Sequence, residues 1–140
     1  MGLYRVKSSE LMNIINPLDG SMWKCGSISV EEIEVARRNK EFEERSWSHD
    51  GVVQEKLSLE ESRTFHIRRI ATMLEKGYTG KIIMALINHT QEIEAFVSDG
   101  NHSLAATYVR GDDEIELVIA ASDPGSILKI LPSARLINNA

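Results

Sequence analysis

One cysteine, Cys25, is all the thiol this 140-residue chain has. A lone thiol cannot close an intramolecular disulfide, and with no CxxC pair or Cys/His cluster the spacing that holds zinc is missing too. Also missing is any run of about 18 apolar residues able to span a bilayer. Residues 1–7 lack the apolar stretch of a signal peptide, so the expectation is a cytoplasmic protein that does not enter membranes. Basic charge is not in excess: 16 Lys and Arg against 21 Asp and Glu leave a net charge of -5. That balance argues against broad adhesion to nucleic acid or to an anionic membrane through net charge. There is no internal repeat and no low-complexity tract.

What is present belongs to a folded globular protein. Apolar residues make up 42% and charged residues 26%, outside the regime in which chains stay disordered. The length suits one domain able to bury a core without staples. Charge is unevenly spread. Residues 1–62 carry 8 basic and 12 acidic side chains, residues 63–81 carry 5 and 1, and residues 82–140 carry 3 and 8. Positive potential is thus expected around Arg63, Arg68, Arg69, Lys76 and Lys81, and any binding of nucleic acid there is expected to be weak.

Local patterns place the elements. A short strand is predicted over 3–7 and a brief helical turn to Ile15, broken by Asn16-Pro17. Ser29-Val30-Glu31-Glu32 has capping-box spacing and predicts a charge-rich helix to about Arg45. Ser58-Leu59-Glu60-Glu61 repeats that pattern, and apolar residues at helical spacing run on to a stop at Gly77. The apolar runs 81–87 and 93–97 predict buried strands joined by a turn at 88–91. A helix is predicted over 102–110 with Gly111 as its stop, a strand over 114–120, and a short helix with a frayed tail over 127–140. Together these make an α+β fold with one small mixed β-sheet packed with helices.

The stretch with most chemistry is Asp99-Gly100-Asn101-His102-Ser103. A strand passing through a glycine straight into a helix gathers backbone N–H groups at the positive end of the helix dipole, where anions are favoured. The same junction also serves simply to turn a chain. Around it, residues 64–120 resemble the core of ParB/sulfiredoxin-like domains in order and spacing: a helix with Ile67-Arg68-Arg69-Ile70, Gly77, two strands, a DGNHR-like turn, the alanine-containing helix from Leu104-Ala105-Ala106, Gly111 and a last strand. The resemblance implies one ParB/sulfiredoxin-like domain over 1–140 with an unassigned insertion at about 18–57, from a bacterial or phage source. It also implies that the turn holds a nucleotide or another phosphate-bearing small molecule.

By that resemblance Gly100, Asn101, His102, Ser103 and Arg68 hold the ligand, a nucleoside triphosphate with Mg²⁺, and His102 and Asp99 are the catalytic candidates for a nuclease or phosphotransferase. No residues are assigned to a resident metal. Two departures bear on chemistry. Asn101 stands where sulfiredoxins carry their catalytic cysteine, so sulfinic-acid chemistry is not implied. Ser103 stands where most members carry an arginine, removing a planar, permanently charged fork for phosphate. The competing reading is a non-catalytic module of a mobile element that keeps the fold and binds a protein partner through residues 18–57.

The other polar candidates have plainer readings. His49, His66, His89 and His102 lie on separate segments without metal-ligand spacing. His49-Asp50 is a dipeptide in a turn, Glu31 and Glu32 serve a helix start, and burial is the commoner fate of Trp23 and Trp47. Cys25 lies outside the matched region. Cys25→Ser should therefore leave folding, read by circular dichroism, and any biochemical activity unchanged; loss of activity in a folded variant would reinstate thiol chemistry.

Overall fold

The computed structural model describes residues 1–45, 57–77 and 80–139. Two compact units divide it, one formed by Met1–Asn16 with Gly80–Ala140 and the other by Pro17–Thr79. The stretch set apart in the sequence as an insertion, about 18–57, thus falls in a unit that also takes the long helix before Gly77.

The first unit is built on a five-stranded sheet. Its elements are β1 (Gly2–Lys7), α1 (Ser8–Met12), β2 (Ile83–Asn88), β3 (Ile93–Asp99), α4 (Asn101–Arg110), β4 (Glu114–Ala121), α5 (Gly125–Ile130) and β5 (Arg135–Asn139), with α2 (Val30–Arg38) and α3 (Leu59–Lys76) belonging to the second unit. The strand order is β3-β2-β4-β1-β5. β2 and β4 run parallel, with Ile83 opposite Val118, and every other pair is antiparallel, so the sheet is mixed. This is the α+β class that the patterning predicts.

β4 occupies the centre of the sheet, and its sequence shows why. Its first half alternates, Glu114 and Glu116 exposed, Ile115 and Leu117 buried; then Leu117, Val118 and Ile119 are buried in succession. Consecutive burial means that both faces are covered at that level, the setting in which strands read as continuous apolar runs. Val6 on β1 and Met84 and Leu86 on β2 add to the same core, with Leu104, Ala105 and Ala106 of α4 and Ile127 of α5 also buried. The Tyr108 hydroxyl donates to the Ile15 carbonyl at 2.8 Å, and burial pushes that phenol well above its ordinary pKa.

The carboxyl-terminal tail differs from expectation. Residues 135–139 form the edge strand β5 on β1, with Tyr4 opposite Leu136 and Arg5 opposite Arg135. Every residue of β5 is exposed, so backbone pairing to β1 rather than an apolar alternation holds it, and such a strand leaves little trace in the pattern of its side chains.

In the second unit, α2 (Val30–Arg38) and α3 (Leu59–Lys76) both begin with complete capping boxes. The Ser29 and Ser58 hydroxyls accept from the N–H of Glu32 and Glu61 at 3.1 Å each. The Glu32 and Glu61 carboxylates accept in return from the Ser29 and Ser58 N–H groups, as the S-x-x-E spacing requires. The helix expected to reach Arg45 stops at Arg38. Lys40 takes a left-handed φ of 55°, and the Lys40 and Glu41 N–H groups return to the Arg37 and Ala36 carbonyls, the Schellman arrangement that closes a helix. Residues 41–45 then lie along α3. The Glu43 N–H donates to Thr72 Oγ1 at 2.8 Å, and Arg69 Nη1 donates to the carbonyls of Glu43 and Glu44 at 3.2 Å each.

Buried against that unit's core, His66 stacks on Trp23 with ring centroids 4.2 Å apart and planes 11° from parallel. Trp23 therefore has the buried fate expected of an aromatic; Trp47, His49 and Asp50 lie outside the described residues. Burial holds the His66 imidazole down to about 4 from its ordinary 6.5. Between those values the unfolded chain takes up a proton that the folded chain refuses, so stability falls as pH drops from about 6.5 and levels off below about 4. The loss should approach about 3 kcal/mol. Urea denaturation at pH 7 and pH 4.5 should show it, and His66→Phe, which keeps an aromatic against Trp23, should flatten that part of the slope.

Candidate functional site

The sequence-selected turn sits where β3 meets α4. β3 ends at Asp99, one residue intervenes, and α4 starts at Asn101. That residue, Gly100, has a φ of 98° and a ψ of 23°, a left-handed conformation that costs an L side chain energy and glycine almost none. Space forbids a side chain as well: a Cβ at Gly100 would stand 2.5 Å from the Lys81 carbonyl oxygen and 2.8 Å from Ile82 Cα. The glycine is thus required by the backbone of 81–82, which lies directly on the turn.

The same segment is tied on from a second side. Ser103, only 2% exposed, accepts a hydrogen bond at its Oγ from the Gly80 N–H at 2.9 Å. Ile82 in turn offers its carbonyl to the Val118 N–H at 2.9 Å, so residues 80–82 join the start of α4 to the central strand. Gly80 and Ile82 were not among the residues singled out from sequence, and their positions in the chain hold no motif that would reveal them. Ser103 was expected to face a phosphate; its hydroxyl is turned inward to the chain.

Asn101 folds back over the strand end, its Nδ2 donating to the Val97 carbonyl at 3.2 Å. Its Oδ1 is buried and meets no hydrogen-bond donor among the described residues. Asp99 is exposed and His102 half-buried. The structure brings Asp99, Gly100, Asn101, His102 and Ser103 into one turn, as consecutive residues must be, and adds Lys81, an exposed residue whose own carbonyl touches the turn.

Arg68, the remaining expected ligand residue, stands on α3 in the second unit and pairs with Glu41 at 3.0 Å. Its neighbours in the basic stretch are engaged in the same way. Arg63 binds the Ser27 carbonyl and the Glu32 carboxylate, Arg69 binds two carbonyls, and Lys76 pairs with Glu44. The Arg63 guanidinium bound to it holds the Glu32 carboxyl down to about 2. The positive stretch read from the sequence is therefore countered on the folded chain, Arg63, Arg68 and Lys76 by the carboxylates of Glu32, Glu41 and Glu44, which lie 31, 27 and 32 residues away in sequence, and Arg69 by backbone carbonyls. Of the expected five cations, Lys81 alone belongs to the unit that carries the turn.

Cys25 is half-buried, and burial raises its thiol above the ordinary value with Arg63 pulling the other way, a setting that does not favour the reactive thiolate. Among the described residues no group of three or more His, Cys, Asp or Glu could hold a metal ion, and no helix is long and apolar enough to cross a membrane.

The fold and turn define a small α+β protein with a mixed five-stranded sheet and a strand-glycine-helix junction. Compared with known proteins, the chain matches no family model, no curated protein and no solved structure.

Substitution separates the two structural ties. Gly100→Ala places a Cβ against two backbone atoms in a left-handed conformation and should cost about 2 to 4 kcal/mol, the sum of the conformational penalty and a forced backbone shift. Ser103→Ala removes the acceptor of the half-buried Gly80 N–H and should cost about 0.5 to 1.5 kcal/mol. Chemical denaturation of both variants checks the order.

Proposed function

We propose that the chain binds a phosphate-bearing ligand, a nucleotide in the form implied by its resemblance to ParB/sulfiredoxin-like domains, at the amino-terminal end of α4. The observation that supports this is the state of the helix starts. α2 and α3 fill theirs with a serine hydroxyl and two acidic residues in the first turn, whereas α4 begins at a glycine with no side-chain cap among the described residues and no acid in its first turn. A helix start carries roughly half a positive charge and N–H groups without intrahelical acceptors, and here no carboxylate of the first turn opposes an anion.

The residues divide by role. The backbone of 101–103 supplies N–H donors, His102 a half-buried imidazole in the first turn, and Lys81, an exposed residue whose own carbonyl lies on the junction, the cation, taking the part given to Arg68 by the resemblance. Gly100 sets the turn, and Ser103 acts through its backbone because its hydroxyl serves Gly80. Asp99 is the exposed carboxylate suited to a Mg²⁺ ion brought with a nucleoside triphosphate. If the ligand is turned over, cleavage or transfer at phosphorus is the chemistry these groups suit, with His102 and Asp99 as the acid-base and metal-side candidates. The second reading, a protein-interaction module, is favoured by the inward-facing Ser103 where the family's arginine would present charge.

Thermal shift with inorganic phosphate and a panel of nucleoside triphosphates with Mg²⁺ distinguishes them. A ligand at 100 times its Kd should add about 2.7 kcal/mol of stability. His102→Ala and Lys81→Ala should each weaken binding by tenfold or more in calorimetry while leaving unliganded stability within about 0.5 kcal/mol for Lys81→Ala, a surface change. No shift with any of these ligands, on protein shown to be folded, would overturn the proposal and leave the interaction module in its place.

A further inference from the structure

We draw no further inference here: the strongest candidate, the outer edge of β3 with Phe96 and the neighbouring Ile87 of β2 exposed beside it, carries nothing because nothing in the structure shows what covers it.

Discussion

The contact between Gly100 and the backbone of Lys81 and Ile82 fixes the geometry on which the candidate site depends. With Cβ absent, the segment before β2 can lie on the junction between β3 and α4, close enough that any other residue would collide with main-chain atoms. From that approach follow the bond from the Gly80 N–H to Ser103 and the bond from the Val118 N–H to the Ile82 carbonyl. The helix start is thereby anchored to the central strand through three consecutive residues of main chain. A glycine that reads from sequence as room for a ligand is, in the fold, room for the protein's own backbone; the anion site proposed at α4 lies on a frame that this approach makes rigid.

Electrostatics in the second unit follow a different logic. α3 carries four of the five cations of the segment 63–81, where basic charge exceeds acidic, yet Arg63, Arg68, Arg69 and Lys76 each meet an acid or a carbonyl from residues 27–44. Exposed pairs of this kind contribute between nothing and about 1 kcal/mol each, so they do not by themselves explain the stability of the unit. Their effect lies in cancelling the field along α3 and in placing residues 41–45, where the hydrogen bond from the Glu43 N–H to the buried Thr72 adds a half-buried tie. The premature end of α2 has the same origin: once Lys40 adopts its left-handed turn, residues 41–45 gain partners on α3 that a continuing helix would not reach.

Among the longer helices, α4 differs from α2 and α3 in how its start is satisfied. Helix starts are usually satisfied by their own sequence, and Ser29 with Glu32 and Ser58 with Glu61 do so completely. At α4 the sequence offers glycine, asparagine and histidine instead, and the asparagine amide is spent on Val97. The start of α4 therefore has no side-chain cap among the described residues, and it stands between the exposed Asp99 and the half-buried His102.

Much of the fold was legible in residues close together in the chain. Both capping boxes, the glycine stops at Gly77 and Gly111, the turn between β2 and β3 and the central strand β4 depend on interactions a few residues apart or on an alternation within one strand, and composition and spacing display these directly. The α+β class follows from them. The turn at 99–103 was legible as a place where a strand becomes a helix, but its inner workings were not. That Gly100 faces 81–82, that Ser103 points inward and that β5 pairs with β1 are decided by segments 18 to more than 100 residues apart, whose meeting no local pattern encodes. The charge on α3 is the clearest case. The sequence determined how many cations stand there; only the tertiary structure decided that acids from another segment would lie against them, because the Coulomb attraction between two side chains depends on their separation in space and on solvent screening, not on their separation along the chain.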